Sequence, residues 1–378
     1  RQYSAGGKTL TAESSYGGVY RYGYEAGLAS SFGKDGEAAV KRSYSPIGLL
    51  LNETDREGRQ RRYGYTERGL IKSIATDEGV ISYTYDGAGR VIEQSAYTEA
   101  NGHTYRTRYR YAGRTVTEER GAYTTTYELN GWGKPVLKTN GEDWTERYRY
   151  DGAGRVTEVR DDIGLLAGYT YNELSLVASE RHGTELPVVY TYNAIGLLER
   201  AERGNEILLT RSYDKAGRLV REKKQGVPEK TYRYDALGRL TEVRSAGEVQ
   251  AQYRYGSYGK TVTYSDGAGS EYLFEKDSYG LLTTERDRLG KQQVYRYSKE
   301  DELSEAVQRN GGVRSVTRRK GAEITTYRDG SRYEIVKDMT GQVIFEKGID
   351  GTGKRISEVR YRYDEAGQLI EQADDAGD

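Results

Sequence analysis

The most regular feature of the chain is a short segment in which tyrosine alternates with a polar residue before a turn. Tyr148-Arg-Tyr-Asp-Gly-Ala-Gly-Arg-Val156 and Tyr232-Arg-Tyr-Asp-Ala-Leu-Gly-Arg-Leu240 are two clear copies. Alternation with period two among strand-forming residues predicts a β-strand. Asp-x-x-Gly predicts a type I turn, because Asp favours its first position and Gly its fourth. A second alternating segment, Arg239-Leu-Thr-Glu-Val243, follows as the return strand, so each copy predicts one β-hairpin.

The turn glycines set the repeat period. Most of those in the middle of the chain fall on one grid with a spacing of 21 residues: Gly133, Gly154, Gly196, Gly217, Gly238, Gly259 and Gly280. Ser175 and Asp301 occupy the two other grid points. Further glycines continue the series with similar steps: Gly27, Gly48, Gly69, Gly89 and Gly113 before it, Gly321, Gly341 and Gly367 after it. This predicts about sixteen hairpins in a single array over residues 1–378, with 371–378 as a frayed end.

The positions that define the repeat are the two tyrosines, the Asp or Asn, the Gly and the Arg of each copy. We assign them a structural role, because Asp at the start of a turn bonds its own backbone. In the clearest copies they are Tyr83, Tyr85, Asp86, Gly89, Arg90, Tyr148, Tyr150, Asp151, Gly154, Arg155, Tyr190, Tyr192, Asn193, Gly196, Tyr213, Asp214, Gly217, Arg218, Tyr232, Tyr234, Asp235, Gly238, Arg239, Tyr361, Tyr363, Asp364 and Gly367.

Hairpins in series predict an all-β fold. A lone hairpin is marginal in water, so neighbouring hairpins are expected to pair edge to edge into one long antiparallel sheet. Roughly 32 strands at ~4.8 Å each would extend about 150 Å, and natural twist forces such a sheet to coil into a spiral ribbon or hollow barrel-like shell. Tyrosines point to one face and the intervening Arg to the other, which predicts tyrosine ladders on one face and cross-strand Arg–Glu pairs on the other.

Composition removes several classes of function. Lys+Arg and Asp+Glu are 58 each, which argues against a nucleic-acid partner held by bulk charge. The chain has no Cys, so disulfides and thiolate metal sites are excluded. No apolar run is long enough for a membrane-spanning helix. Because the chain starts with Arg1, we interpret it as a piece of a longer protein.

Few residues have side chains typical of catalytic or metal-binding sites. His103 and His182 are the only histidines, and their 79-residue separation predicts two unrelated surface positions. The acidic clusters at 300–302 and 374–375 are expected to be solvated charge. We therefore expect no catalytic residue, no metal, no cofactor and no enzymatic activity.

Two features remain open in the sequence. Trp132 and Trp144 suggest a glycan-contacting surface near residues 122–150, because exposed aromatic rings stack on sugars; the alternative is that they fill the wall. The distance between successive turn glycines is longer than 21 residues at 98–114 and 331–356. This predicts either projecting loops or seams where the ribbon turns.

The Tyr-Asp-x-x-Gly-Arg-Leu unit at about 21-residue spacing resembles the YD repeat of rearrangement-hotspot (Rhs) proteins. Similar repeats occur in bacterial wall-associated proteins, insecticidal toxin complexes and teneurins. The resemblance covers about residues 1–370 and implies a β-ribbon wound into a large hollow shell. In toxin members the shell encloses a toxic polypeptide, and in other members the repeats serve adhesion, with carbohydrate binding proposed.

The chain departs from the toxin members in one respect. Their repeats end in a segment with an Asp-Pro motif linked to self-cleavage. Here the prolines, Pro46, Pro135, Pro187 and Pro228, follow residues other than Asp, so no protease residue carries over. The resemblance implies the wall of a secreted or surface-displayed bacterial shell, whose partners are a polypeptide cargo or neighbouring segments of the same protein. The alternative is an adhesion module that binds glycans or proteins without enclosing anything.

Overall fold

A computed structural model describes residues 2–14, 16–34, 37–141, 144–298, 301–319 and 321–374. Within these ranges the chain forms 36 β-strands in one sheet and a single turn of 3-10 helix at Ser257–Gly259, without any α-helix. The all-β fold predicted from the repeat is confirmed. The strands form eighteen sequential hairpins rather than about sixteen, partly because an N-terminal hairpin around Gly7 precedes the predicted glycine series.

The strands are mostly five to eight residues long and are numbered in chain order. The first eighteen are β1 Gln2–Tyr3, β2 Thr9–Glu13, β3 Val19–Glu25, β4 Leu28–Lys34, β5 Glu37–Tyr44, β6 Leu50–Thr54, β7 Gln60–Tyr65, β8 Ile71–Thr76, β9 Gly79–Tyr85, β10 Val91–Thr98, β11 Thr104–Ala112, β12 Thr115–Arg120, β13 Tyr123–Leu129, β14 Pro135–Asn140, β15 Thr145–Tyr150, β16 Val156–Arg160, β17 Leu165–Tyr171 and β18 Val177–His182. The second eighteen are β19 Val188–Tyr192, β20 Leu198–Arg203, β21 Glu206–Tyr213, β22 Leu219–Lys224, β23 Lys230–Tyr234, β24 Leu240–Ser245, β25 Glu248–Tyr255, β26 Thr261–Asp266, β27 Glu271–Lys276, β28 Leu282–Asp287, β29 Gln292–Tyr297, β30 Leu303–Val307, β31 Val313–Arg319, β32 Ala322–Tyr327, β33 Arg332–Lys337, β34 Val343–Ile349, β35 Arg355–Tyr363 and β36 Leu369–Asp374.

Each strand pairs antiparallel with the next one in the chain. In β23 and β24, for example, Tyr232 lies opposite Val243 and Arg233 opposite Glu242, and the register shifts by one residue before Tyr234. β1 pairs with β2 alone and β36 with β35 alone among the described strands, so the sheet is not closed by strand pairing. Residues 371–374 of the predicted frayed end belong to β36, and 375–378 lie outside the described residues.

The turn at 151–155 has the hydrogen bonds and the left-handed glycine predicted for Asp-x-x-Gly. The Oδ1 atom of Asp151 accepts hydrogen bonds from the N–H groups of Ala153 and Arg155, both at 3.0 Å. The N–H of Gly154 donates to the Asp151 carbonyl at 2.9 Å, and Gly154 has φ 76°. The left-handed backbone is a property of the position rather than of glycine, because Ser175 and Asp301 adopt φ 62° and 64° at the two grid points that lack glycine.

The wall of the sheet is thin. The buried apolar residues are few and mostly small, with Ala201 at 5% exposure and further alanines in equivalent places. The molecule exposes 23416 Å², whereas a compact monomer of 42.6 kDa exposes about 15,000 Å². Both faces of the sheet are therefore largely open to solvent, in agreement with the small content of large aliphatic side chains.

Candidate functional site

Consecutive hairpins give the ribbon two edges. The first edge carries the turns that join odd-numbered strands to even-numbered ones, including the Asp-x-x-Gly turns such as 151–155 and 277–281. The second edge carries the turns that join even-numbered strands to odd-numbered ones, such as 14–18 and 99–103. The strands between them are short, so side chains near a turn can reach beyond the edge of the sheet.

The first edge of the late hairpins lies against the second edge of the early ones. The N–H of Gly18 donates to the carbonyl of Ser278 at 2.7 Å, and the hydroxyl of Ser14 donates to the same carbonyl at 2.6 Å. The Tyr279 ring packs edge-on against the Tyr20 ring, with centroids 5.3 Å apart. Lys34 Nζ lies 4.4 Å from the Tyr279 ring centroid and pairs with a turn carboxylate further along the chain.

The same contact continues along both edges. The Tyr105 hydroxyl donates to Oδ2 of Asp338 at 2.5 Å, and Nε2 of His103 lies 3.3 Å from the Asp364 carbonyl. The N–H of Arg106 donates to the Glu365 carbonyl at 3.3 Å. We call the set of contacts between second-edge residues 14–34, 79 and 98–121 and first-edge residues 276–301 and 338–366 the seam.

The seam shows that the ribbon coils onto itself. Its side-chain partners are between 233 and 267 residues apart in the chain, which corresponds to about twelve repeats. The two stretches of irregular spacing, 98–114 and 331–356, both contribute to it through Tyr105 and Asp338. Whether these stretches are projecting loops or places where the ribbon turns stays a prediction, but both of them contact another winding. The predicted spiral ribbon is confirmed, as an overlapping coil rather than a closed barrel.

A second set of contacts joins each hairpin to the one before it. The tyrosine that precedes a first-edge turn donates its hydroxyl to a main-chain carbonyl of the preceding repeat, usually that of the apolar residue two positions after the turn Gly. For Tyr171 the acceptor is the Val156 carbonyl at 2.7 Å. The tyrosines with this bond are Tyr24, Tyr44, Tyr65, Tyr85, Tyr111, Tyr150, Tyr171, Tyr192, Tyr213, Tyr234, Tyr255, Tyr297 and Tyr363.

The repeat arginine completes this contact. Arg155 Cζ lies 4.5 Å from the ring centroid of Tyr171 in the next repeat, and its Nε and second terminal nitrogen bind Oδ2 of Asp151 at 2.8 and 2.7 Å. The same arrangement occurs for Arg218 over Tyr234. We call the Asp–Arg–Tyr–carbonyl unit the repeat lock. Sequence reasoning missed it; its signal was the recurrence of Arg directly after the turn Gly and of Tyr directly before the next turn.

The repeat lock corrects one expectation about the tyrosine face. Continuous tyrosine ladders were predicted, but ring stacking between adjacent strands is confined, in the described part of the sheet, to a few aromatic pairs such as Tyr253–Tyr264 and Tyr264–Tyr272. At Tyr111, Tyr171, Tyr234 and Tyr255 the arginine of the preceding repeat lies over the ring instead.

The opposite face carries the predicted Arg–Glu pairs. Arg149 and Arg233 lie 3.5 and 3.4 Å from Glu158 and Glu242 across the strands. The arginine side chains are more than two-thirds exposed, so each pair contributes little to stability.

Acid is expected to weaken the repeat locks. Backbone and side-chain hydrogen bonds from Arg155 hold the pKa of Asp151 below its ordinary value, and side-chain and backbone bonds from Arg218 do the same for Asp214. A lowered pKa means that the ionised form is favoured in the folded state. Its contribution is complete above the ordinary Asp pKa of about 3.9 and is lost as the pH falls through the lowered value. Melting temperature measured from pH 7 to 2 should fall steeply below about pH 4, and less steeply for Asp151→Asn. Equal slopes for the two proteins would contradict this role.

Alkali is expected to act on the tyrosines. Burial raises the pKa of Tyr171 and Tyr234, and burial together with the Glu180 carboxylate raises the pKa of Tyr190 to about 12. A raised pKa means that the neutral phenol is favoured in the folded state. This stabilisation is complete below the ordinary Tyr pKa of about 10 and is lost as the pH rises through the raised values. Absorbance at 295 nm should show these tyrosines ionising together with loss of the β-sheet circular dichroism. Full ionisation near pH 10 with an unchanged spectrum would contradict the burial.

The remaining predicted positions are not brought together. Trp132 and Trp144 lie in turns at opposite ends of β14, one on each edge, with Trp132 68% exposed and Lys138 over the Trp144 ring. One shared glycan surface is therefore not formed by the two rings, and glycan contact at either stays a prediction. His182 is exposed at the end of β18, as predicted, whereas His103 lies in the seam.

The acidic clusters fall partly outside the described residues, because residues 300 and 375 are not among them. In the ranges that the structure covers, no group of three or more His, Asp or Glu side chains is arranged to hold a metal ion. The same ranges contain no helix of the length and apolarity needed to span a membrane.

Parts of the chain are similar to known proteins. Residues 182–300 match the family model described as Teneurin YD-shell. A tRNA(Glu)-specific nuclease WapA from Bacillus subtilis subsp. natto is 30% identical over 101 residues, which cover 25% of this chain and 4% of that protein. The chain thus spans a very small part of this curated relative.

Two solved structures align with most of this chain. A Photorhabdus luminescens Tc holotoxin pore aligns with TM-score 0.47 and 14% identity, over 94% of this chain and 26% of that one. A TcdB2-TccC3 crystal structure aligns with TM-score 0.46 and 12% identity, over 94% and 27%. Residues 182–300 are thus similar to the YD-shell family, and the same 21-residue unit recurs on both sides of that match.

Proposed function

We propose that this chain is a stretch of shell wall that encloses a polypeptide cargo in a secreted or cell-surface bacterial protein. The observation that supports it best is the seam, which makes the ribbon return to its own edge and so surround a space. Between the turns at 14–18 and 277–281 lie strands β3 to β27, a path of about 120 Å at ~4.8 Å per strand. A circular path of that length has a diameter of roughly 40 Å, and side chains of both walls leave a lumen of roughly 30 Å.

In this proposal the wall acts through its shape. The repeat locks join one hairpin to the next, and the seam joins one winding to the next, so the sheet holds its curvature without a deep core. The wall itself carries no catalytic group in this proposal, because the Asp, Arg and Tyr side chains of the repeat locks are engaged in turn and lock contacts, as Asp151, Arg155 and Tyr171 are. Toxic or enzymatic activity would belong to the enclosed polypeptide.

Small-angle X-ray scattering on the purified monomer tests the lumen. A compact chain of 378 residues has a radius of gyration of ~21 Å. We expect a larger value, with a pair-distance distribution skewed to long distances as for a hollow body. A symmetric distribution at ~21 Å would exclude the lumen and leave the adhesion module as the better function.

A protection experiment tests enclosure. An unstructured tail with a site for a sequence-specific protease is fused after residue 378, and cleavage of the tail is compared with cleavage of the same tail on an unrelated protein. We expect cleavage of the tail on this chain to be at least ten-fold slower. Equal rates would contradict enclosure by this stretch of wall.

A further inference from the structure

One repeat lock lacks its carboxylate. In the turn that joins β13 to β14 the first position is Asn130, and Lys134 takes the place of the arginine. Lys134 Nζ lies 5.5 Å from the ring centroid of Tyr150 in the next repeat, and the Tyr150 hydroxyl donates to the Pro135 carbonyl at 2.6 Å. The cation, the ring and the carbonyl of the lock are therefore in place. An aspartate at position 130 would complete it, as Asp151 does in the next first-edge turn.

The side-chain amide of Asn130 is held in a way that favours loss of its ammonia. Its Oδ1 atom accepts hydrogen bonds from the N–H groups of Trp132 and Lys134, at 2.9 and 3.1 Å. Two main-chain donors on one oxygen stabilise the negative charge that this oxygen carries in a tetrahedral intermediate. Because the turn holds both donors before any reaction, it acts on Oδ1 as an oxyanion hole.

The residue that follows supplies the attacking atom. Gly131 is exposed, and among the described residues its N–H group donates to no main-chain carbonyl. Its nitrogen is therefore available to attack Cγ of Asn130, and the missing side chain leaves that approach open. The Cγ–Nδ2 bond breaks, ammonia leaves and a cyclic succinimide forms. Solvent water then opens the ring, so the net reaction consumes one water and releases ammonium as the carboxylate forms.

We propose that Asn130 is a self-modifying site that converts to aspartate. Water that attacks Cγ of the succinimide breaks the bond to the Gly131 nitrogen and restores the normal main chain, whereas attack on the main-chain carbonyl carbon gives isoaspartate. The oxyanion hole acts on the oxygen of Cγ, so it directs water to Cγ. The product places one negative charge beside Lys134 and completes the Asp–cation–Tyr–carbonyl contacts of a repeat lock.

The other candidate asparagines lack part of this arrangement. All four Asn-Gly pairs of the chain lie within the described ranges. After Asn101 and Asn310 the glycine N–H donates to a preceding carbonyl, at 2.9 Å in both cases. At Asn140 the side-chain oxygen accepts a longer bond, from a following N–H at 3.3 Å. Asn193 has two donors on Oδ1, but Ala194 rather than glycine follows it.

Peptide mapping of the full chain by mass spectrometry, after incubation at neutral pH, tests the proposal. Conversion adds about 1 Da, and chromatography separates aspartate from isoaspartate. We expect Asn130 to convert at least five-fold faster than Asn101 and Asn310, with aspartate as the main product. In urea the three sites should convert at similar rates and give mainly isoaspartate. No conversion at Asn130, equal rates in the folded chain, or mainly isoaspartate at position 130 of the folded chain would overturn the proposal.

Two variants separate the roles of the neighbouring groups. Gly131→Ala keeps the turn, because a Cβ atom there meets no atom within 4 Å and Ala194 occupies the equivalent position of another repeat. It should convert at least ten-fold more slowly, because the methyl group hinders attack on Cγ. Asn130→Asp represents the product and should melt about 1 °C above the freshly purified parent chain. A melting temperature that does not rise would contradict completion of the lock.

Discussion

Tyr171→Ala is expected to reduce the free energy of unfolding by about 2–3 kcal/mol, because the ring, its hydroxyl bond and its arginine contact are lost together. The hydroxyl donates to the Val156 carbonyl at 2.7 Å and the ring lies under Arg155. The ring is only half-buried, which places the loss below that of a fully buried aromatic residue. Without it, the Val156 carbonyl and the Arg155 side chain of one repeat no longer contact the next.

Two matched variants separate the contributions. Tyr171→Phe keeps the ring and removes the hydroxyl, so it should cost about 1 kcal/mol. Tyr123→Ala removes a tyrosine that is 54% exposed, and it should cost less than about 0.5 kcal/mol. Urea unfolding followed by circular dichroism gives the global value. Hydrogen exchange at β16 and β17 gives the local one, because repeat arrays can open in parts. Equal losses for Tyr171→Ala and Tyr123→Ala would contradict the repeat lock.

Contacts within one hairpin could be predicted from the sequence. Asp151 and Gly154 stand three residues apart, and the bonds of a type I turn follow from that spacing alone. The same prediction holds at Ser175 and Asp301, which occupy turn positions where the other repeats have glycine. Their place in the repeat indicates a left-handed backbone that their own side chains disfavour. In a repeat protein the backbone conformation depends on the position within the repeat. The equivalent residues of other repeats therefore indicate the conformation of a residue that departs from the motif.

Contacts between hairpins were only partly predictable. The repeat contains the Arg and Tyr of the lock, yet alternation alone does not show that Arg155 reaches the tyrosine of the following repeat rather than a glutamate beside it. Contacts between windings were not predictable. Ser14 and Ser278 are 264 residues apart, and their distance in space depends on the curvature that many small twists add up to.

Gly18→Ala is expected to open the early part of the seam. A Cβ atom at this position would lie 2.5 Å from the Ser278 carbonyl oxygen and 2.6 Å from the Tyr279 ring, and a main-chain carbonyl cannot move aside cheaply. The backbone of Gly18 is not left-handed, so alanine itself adds no strain there. Loss of the 2.7 Å bond from Gly18 N–H to Ser278 and of the ring contacts should weaken the seam by about 2 kcal/mol. Amide exchange at residue 18 should then be about thirty-fold faster.

A control variant, Gly152→Ala, tests whether the seam maintains the curvature of the ribbon. Gly152→Ala adds the same methyl group in a first-edge turn where no atom lies within 4 Å, so it should leave exchange at residue 18 and the scattering profile unchanged. Gly18→Ala should increase the maximum dimension in scattering, because windings that no longer touch move apart, while the β-sheet circular dichroism is retained. If Gly18→Ala and Gly152→Ala behave alike, the curvature would have to come from the repeat locks alone. A lumen would then need no seam, and the enclosed volume would be set by strand twist rather than by contact between windings.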